Sequence, residues 1–165
     1  MAADSTDVTD ANPFWNFSLA FYAEPGVADS CIALQDATGL DVNLLLYCCY
    51  ASSCGLPLAP AGLAAVEAAC ADWRDDKVRP IRALRRQSDA ELRGKLLEAE
   101  LLAEQEQQRL MWQHRAPAGD WRAGPYSIEL LGINLEVLAA VTGIARDRLA
   151  SFEAIADRFL SRPVA

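Results

Sequence analysis

Lysine and arginine are absent from the first 73 residues of this 165-residue chain, although those residues carry nine carboxylates. Six cations then follow between Arg74 and Arg86. The formal net charge of −8 therefore combines an acidic, apolar first part with a second part that is nearly balanced. Because early cations are missing, the chain shows neither the positive n-region of a secretory signal nor the arginines of a transit peptide, and we expect a cytoplasmic protein.

Charged residues are also absent from residues 42–66, a stretch long enough to raise the question of a membrane span. Gly55, Pro57 and Pro60 divide it into two pieces that are each too short to cross a bilayer, and no cation flanks it. We therefore expect two buried helices and no membrane partner.

The chain has a single histidine, His114, and this scarcity excludes several kinds of site. A di-iron carboxylate bundle needs two Glu-x-x-His motifs, and none is present. Zinc sites usually match one cysteine pair with a second pair or with histidines, whereas Cys48 and Cys49 are adjacent and far from His114 in the sequence. The sequence thus indicates no catalytic residues, no metal and no cofactor, and we favour a function without catalysis. The five cysteines, an odd number without an export signal, are expected to be reduced, buried thiols.

The apolar spacing that is present predicts an all-α protein, a single compact bundle of six or seven helices with one long Glu- and Gln-rich helix. Residues 1–11 are small and acidic without periodicity, and we expect them to form a flexible tail. Residues 12–165 are expected to form one helical domain. In it, residues 116–125 form a loop and residues 126–165 contain the C-terminal helices.

Capping signals predict where individual helices begin. Asn12-Pro13 is an N-cap followed by proline at the first helical position. Asp41 can cap a later helix, and residues 88–91, Ser-Asp-Ala-Glu, form a capping box that starts the long helix. Pro80 is expected to kink or restart the helix that contains it.

Two N-terminal motifs carry a resemblance to a known family. Residues 12–19 read Asn-Pro-Phe-Trp-Asn-Phe-Ser-Leu, and residues 39–46 read Gly-Leu-Asp-Val-Asn-Leu-Leu-Leu. Together with residues 79–85 and the Glu-rich residues 100–107, these motifs resemble a small proteobacterial family of about this length whose function is unknown. The resemblance covers residues 12–110 and implies a helical cytoplasmic protein, but it implies no activity.

The basic segment raises the clearest question about function. Arg79, Arg82 and Arg86 fall at helical spacing and share one face, where like charges repel one another. One explanation is internal, because the long helix can return antiparallel and bring a glutamate alongside. The candidates are Glu91, Glu98 and Glu100. The other explanation is that a phosphate or an acidic partner supplies the counter-charge, since planar guanidinium groups bind such groups bidentately.

From this segment we expect a non-enzymatic cytoplasmic adaptor or regulator that binds another macromolecule, above all a protein. Its candidate contact residues are Arg79, Arg82, Arg85 and Arg86. The alternative is a helical bundle that binds a small ligand, with Trp15, Asn43 and Tyr47 in its pocket. Asn43 is notable because it stands on an otherwise apolar helix, where it either caps the helix or faces a pocket.

A third hypothesis is a helix-turn-helix regulator that binds DNA through residues 135–153. A Thr-Gly-Ile turn would precede Arg146 and Arg148, which would open a recognition helix. The same turn chemistry recurs at residues 38–40, before a helix that begins with apolar residues. Residues 132–165 also carry four bases and four acids, so a nucleic-acid partner is not expected.

Overall fold

Residues 12–119, 121–122 and 124–163 are described by the computed structural model, and all of their regular secondary structure is helical. The predicted tail at residues 1–11 lies outside this described part. The α-helices are α1 (Pro13–Tyr22), α2 (Val27–Thr38), α3 (Val42–Ser53), α4 (Pro60–Trp73), α5 (Arg79–Gln87), α6 (Ala90–Gln113), α7 (Ile128–Thr142) and α8 (Ala150–Leu160). A π-helical turn, Arg74–Val78, joins α4 to α5, and a 3₁₀ turn, Arg146–Leu149, leads into α8. With each turn counted in the helix that it continues, the described chain has seven helical segments, which confirms the all-α bundle and its long Glu- and Gln-rich helix, α6.

Side-chain caps explain where the first helices begin. Asn12 Oδ1 accepts hydrogen bonds from the backbone N–H groups of Phe14 at 3.1 Å and Trp15 at 3.4 Å. Asp41 Oδ1 accepts a hydrogen bond from the N–H of Asn43 at 2.9 Å and so caps α3. Both predicted helix starts are therefore confirmed.

The long helix α6 begins one residue later than the capping box predicts. Asp89 rather than Ser88 caps it, by accepting a hydrogen bond from the N–H of Leu92 at 3.0 Å. The Ser88 hydroxyl instead donates to the carbonyl oxygen of Leu84 at 2.6 Å. Because the preceding helix α5 already engages Ser88, the next acidic residue takes over the cap.

The expected break at Pro80 takes the form of the π-helical turn. In this turn the N–H of Arg79 donates to the carbonyl oxygen of Arg74, five residues back. The wider turn accommodates a proline, which has no N–H to donate to the residue four positions back. α4 and α5 therefore stay continuous, and α5 comes to lie along α6.

α3 lies at the centre of the bundle. Residues 43–50 are all buried, and α3 packs against α1, α2, α6, α7 and α8. The ring of Tyr47 meets the ring of Phe14 edge-on at 5.7 Å and that of Trp121 at 5.2 Å between centroids. Among the helices of the described residues, none is both long enough and apolar enough to cross a membrane.

All five cysteines are free and buried, as the sequence predicts. Burial raises the pKa of the Cys31 thiol to about 12 and that of Cys70 to about 11. The thiols are therefore protonated near neutral pH and pack as small apolar groups.

Asn134 of α7 fixes the connection between α3 and α4. Its Oδ1 accepts a hydrogen bond from the N–H of Leu58 at 2.8 Å, and its Nδ2 donates to the carbonyl oxygen of Leu56 at 3.0 Å and to Ser52 Oγ at 2.9 Å. The side chain is fully buried. Because buried backbone groups need partners, this one side chain stabilises a connection that has no regular structure of its own.

We predict that Asn134→Leu lowers the free energy of unfolding by about 3 kcal/mol, because it leaves the buried N–H of Leu58 and the partly buried carbonyl oxygen of Leu56 unpaired. Urea denaturation followed by circular dichroism measures this loss. Ile133→Ala on the same helix is the control, since that side chain is about half exposed and its truncation should cost less than about 1 kcal/mol. Equal losses in the two variants would contradict the role of Asn134.

Candidate functional site

A cavity of about 340 Å³ lies between α1 and α6, and residues of α2, α3 and α5 complete its walls. The two main walls are single helical faces, because their residues recur at intervals of three and four. The α1 wall consists of Trp15, Ser18, Leu19 and Tyr22. The α6 wall consists of Leu97, Glu100, Leu101, Glu104 and Gln108.

The rim of this cavity is apolar and open. Leu19, Leu97 and Leu101 line it and are each about half exposed. Leu46 and Asn43 lie deeper, and both are buried. Single exposed leucines are ordinary, but apolar side chains grouped around a concave surface indicate a binding site.

A chain of side-chain hydrogen bonds, which we call the amide relay, runs from the start of α3 into the cavity wall. Gln107 Nε2 donates to Asp41 Oδ2 at 2.5 Å, and Asn43 Nδ2 donates to Gln107 Oε1 at 3.0 Å. Gln108 Nε2 in turn donates to Asn43 Oδ1 at 2.8 Å. Asn43 therefore lies in the cavity wall, and the capping of α3 falls to Asp41.

Two buried polar atoms of the cavity residues have no hydrogen-bond partner among the described residues. They are Ser18 Oγ and Gln108 Oε1. Their residues are only 3% and 1% exposed, so water does not solvate them freely. Leaving a buried donor or acceptor unpaired costs about 1–3 kcal/mol, and such groups in a native protein call for an explanation.

Arg82 closes one end of the cavity through three partners. Its Nε donates to Glu100 Oε1 at 2.7 Å, and its Nη1 donates to Gln35 Oε1 at 2.7 Å. Its Nη2 donates to Glu104, and Arg85 donates to the second oxygen of Glu100. These five residues form an ion-pair cluster that joins α5 to α6 and α2, so both arginines find their counter-charges within the protein.

The glutamates of this cluster differ in part from those expected. Glu100 is one of the three candidates from the sequence and holds both arginines. Glu91 and Glu98 are exposed near the start of α6 and take no part in the cluster. Glu104, one turn further along α6, is the second carboxylate that pairs with Arg82, because the α5 face that carries Arg82 packs against the middle of α6.

Burial affects the two glutamates differently. Burial alone raises the pKa of Glu100, but hydrogen bonds from Arg85 and Arg82 outweigh it and hold that pKa below its usual range. For Glu104, burial outweighs the attraction of Arg82, and nearby Glu100 adds to it, so the pKa lies above the usual range. Glu100 is therefore the firmly ionised carboxylate at this end of the cavity.

Arg79 and Arg86 lie outside the ion-pair cluster. Arg79 pairs with Asp75 at 2.9 Å and Arg86 with Asp36 at 3.0 Å, and all four side chains are close to half exposed. Both arginines line a second, open concavity of about 550 Å³ beside α5, which we call the basic groove. Exposed pairs of this kind contribute only about 0–1 kcal/mol, so these guanidinium groups can exchange partners at little cost.

Tyr47 lies apart from the cavity, although the ligand hypothesis groups it with Trp15 and Asn43. Its side chain is fully buried, and its hydroxyl accepts a hydrogen bond from the N–H of Ala116 at 3.2 Å. The rings of Phe14 and Trp121 cover it on the core side of α3. Trp15 and Asn43 do line the cavity, as do Arg82, Arg85 and Arg86.

Sequence reasoning missed Ser18, Glu104 and Gln108. Ser18 gave one signal, since it is a polar residue on a helix that is apolar nearly all round. Gln108 and Glu104 gave none, because the Glu- and Gln-rich stretch of α6 reads as a solvated face. Only the packing of α6 against α1 and α3 turns part of that face inward.

Residues 135–153 form the end of α7, the 3₁₀ turn and the start of α8. Arg146, proposed to open a recognition helix, lies in the 3₁₀ turn and pairs with Glu153 at 2.5 Å. Leu149 and Phe152 are buried, and α8 packs against α2, α3 and α7. This arrangement adds no support to the DNA hypothesis.

Comparison with known families gives one match. A family model with the description "Protein of unknown function (DUF2390)" matches residues 13–111, which confirms the resemblance to a family of unknown function. The matched range contains every residue that lines the cavity, whereas α7 and α8 lie beyond it. The comparisons with curated proteins and with solved structures gave no match.

We predict that Arg82→Ala lowers the free energy of unfolding by about 3 kcal/mol, because it leaves two largely buried glutamates without their shared cation. Arg79→Ala is the matched control on the same helix, and it should cost no more than about 1 kcal/mol because its ion pair is exposed. Urea denaturation of both variants checks the difference. A loss at Arg79 as large as that at Arg82 would contradict this division between buried and exposed arginines.

Proposed function

The chain belongs to this family of proteins of unknown function, and we propose that it is a binding protein that holds a small amphipathic ligand in the cavity between α1 and α6. The observation that carries the proposal is the cavity itself, a preformed concave space whose half-exposed leucines, Leu19, Leu97 and Leu101, surround a few polar groups.

The size and chemistry of the cavity fit this proposal. Its volume of about 340 Å³ falls in the lower part of the range of about 300–1,000 Å³ typical of small-molecule sites. Its walls combine apolar side chains with a few polar groups, which is the usual composition of such sites. Trp15 and Tyr22 offer aromatic surfaces on one wall, and Leu97 and Leu101 face them from α6. The ligand therefore has an apolar body and a polar head group.

Binding without chemistry accounts best for the titratable groups of the cavity. Its described lining includes neither cysteine nor histidine, and Arg82 holds the carboxylates of Glu100 and Glu104. We also propose a cytoplasmic location, which the five free cysteines support.

Replacing Ser18 tests the site. We predict that Ser18→Leu raises the thermal stability of the free protein, because it removes an unsatisfied hydroxyl and fills part of the cavity. The same variant should lose ligand binding. A library of fragments of about 8–15 non-hydrogen atoms, a size suited to such a cavity, is screened by saturation-transfer NMR against the wild type and Ser18→Leu.

Ser52→Ala is the matched control for stability, because the Ser52 hydroxyl is buried and donates to the carbonyl oxygen of Cys48 at 2.8 Å. That variant should be destabilised. Fragments that bind the wild type and Ser18→Leu equally well, or a screen without a single binder, would overturn the proposed function.

A second candidate function is supported by the basic groove. Arg79 and Arg86 line it beside Arg74, and the two exposed ion pairs can give way to a phosphate or an acidic protein segment. We therefore retain the adaptor hypothesis for Arg79 and Arg86, and assign Arg82 and Arg85 to the ion-pair cluster.

Charge reversal separates the two roles. Arg79→Glu should leave the fold and fragment binding unchanged, since its side chain is exposed and lies outside both the ion-pair cluster and the lining of the cavity. It should remove any partner that the wild type retains through the basic groove. Affinity purification from native cells, compared by quantitative mass spectrometry, makes the test. Identical sets of retained proteins for the two forms would contradict the adaptor role.

A further inference from the structure

We infer that the ligand of this cavity is a small organic anion, an apolar chain with a carboxylate head group that binds Arg86. The inference rests on the proposed ligand-binding function and adds the chemical class of the ligand. It follows from the charges of the cavity lining and from the position of Arg86 between the cavity and the basic groove.

The described lining of the cavity has an excess of positive charge, although the whole chain has a formal net charge of −8. Its cations are Arg82, Arg85 and Arg86, and its carboxylates are Glu100 and Glu104. Arg82 and Arg85 hold both carboxylates. Arg86 differs from them, because its ion-pair partner, Asp36, lies outside the lining. Within the described lining, Arg86 is therefore the cation that no wall carboxylate neutralises.

The ion pair of Arg86 is easily exchanged. Its Nη2 donates to Asp36 Oδ1 at 3.0 Å, and both side chains are about half exposed. Such a pair adds little to stability, because water solvates either ion when the two separate. A guanidinium group presents several N–H donors in one plane, and a carboxylate can accept from two of them at once. A ligand carboxylate can therefore take the place of Asp36.

Arg86 lies where the cavity meets the basic groove. Gln35, Arg82 and Arg86 line both concavities. The cavity itself offers the apolar side chains of Leu97 and Leu101 to the body of a ligand. Because Arg86 is partly exposed, a head group bound to it keeps some of its hydration, and this limits the cost of removing a charge from water.

Cationic and neutral head groups match these charges less well. A cation would need a free carboxylate, and Glu100 and Glu104 become free only when a partly buried ion pair with Arg82 is broken, which is costly. A neutral head group leaves the pair of Arg86 with Asp36 in place and gains no charge-assisted hydrogen bond. A carboxylate gains that bond and leaves the ion-pair cluster intact.

Octanoate, 1-octanol and octylamine are direct probes of this inference, because they have the same number of carbon atoms and differ in the charge of the head group near neutral pH. We expect the wild type to bind octanoate about tenfold more tightly than 1-octanol, since a charge-assisted hydrogen bond is stronger than a neutral one. Octylamine should bind most weakly, because Arg86 repels it. Chemical-shift titration at the Trp15 indole N–H, below the micelle-forming concentration of each probe, gives the dissociation constants.

Removing the charge of Arg86 should abolish this preference. In Arg86→Gln, octanoate should bind about tenfold more weakly, while the affinity for 1-octanol stays the same. Arg79→Gln is the matched control, since it makes the same change of charge on the same helix at a residue that lines the basic groove but not the cavity. Its affinity for octanoate should stay within about twofold of the wild type, because salt screens exposed charges.

The variant Asp36→Asn tests the same site by a gain of affinity. It removes the carboxylate that competes for Arg86 and leaves the lining of the cavity unchanged. Octanoate should then bind about threefold more tightly, with no change for 1-octanol. Misfolding cannot produce such a gain. An unchanged affinity for octanoate in this variant, or a loss in Arg79→Gln as large as that in Arg86→Gln, would overturn the binding of the head group to Arg86.

The outcomes also separate this inference from the function on which it rests. If 1-octanol or octylamine binds the wild type as tightly as octanoate, the inferred head group is wrong while the cavity remains a binding site. If none of the three probes shifts the Trp15 signal, the ligand-binding function itself is contradicted.

Discussion

A buried carboxylate that receives only hydrogen-bond donors, Asp41, organises the polar interior of this bundle. It caps α3 through the N–H of Asn43, accepts a hydrogen bond from Gln107 of α6, and lies 3.5 Å from Arg74 at the end of α4. Three helices are therefore oriented around one side chain. Because this carboxylate accepts hydrogen bonds, Gln107 presents its NH₂ group to it. The orientation of Gln107 then sets the orientation of Asn43, and Asn43 sets that of Gln108 beside the cavity.

The uneven distribution of charge along the chain has a structural cause. Residues before Arg74 supply α1, α2, α3 and α4, and the central helix α3 excludes cations because it is surrounded on all sides. α5, by contrast, buries no side chain completely. Its attachment to α6 relies on Arg82 and Arg85, whose guanidinium groups meet Glu100 and Glu104. Removing one partner from such a partly buried pair destabilises the protein, because the other ion is left without a counter-charge. These pairs therefore fix the position of α5 and, with it, one end of the cavity.

The sequence predicts the fold better than the site, and particular residues show why. Helix starts at Asn12 and Asp41 depend on local caps, which a sequence displays directly. The π-helical turn before Pro80 and the cap at Asp89 depend on how neighbouring helices compete for the same residues. A local sequence pattern carries no information about that competition. Asn43 was recognisable because a polar residue on an apolar helix needs a partner. Ser18 and Gln108 were not recognisable as a pair, because their lack of partners exists only after α1, α3 and α6 have packed together.

The central claim is that the space between α1 and α6 holds a small amphipathic molecule by its apolar body and its head group. Isotope-filtered nuclear Overhauser spectroscopy on the labelled protein with unlabelled 1-octanol tests this claim most directly, because it reports which protons of the protein lie within about 5 Å of the molecule, the scale of van der Waals contact. The account predicts cross-peaks from the alkyl chain to Trp15, Leu97 and Leu101. Cross-peaks confined to other surfaces of the protein, or none at all, would contradict it.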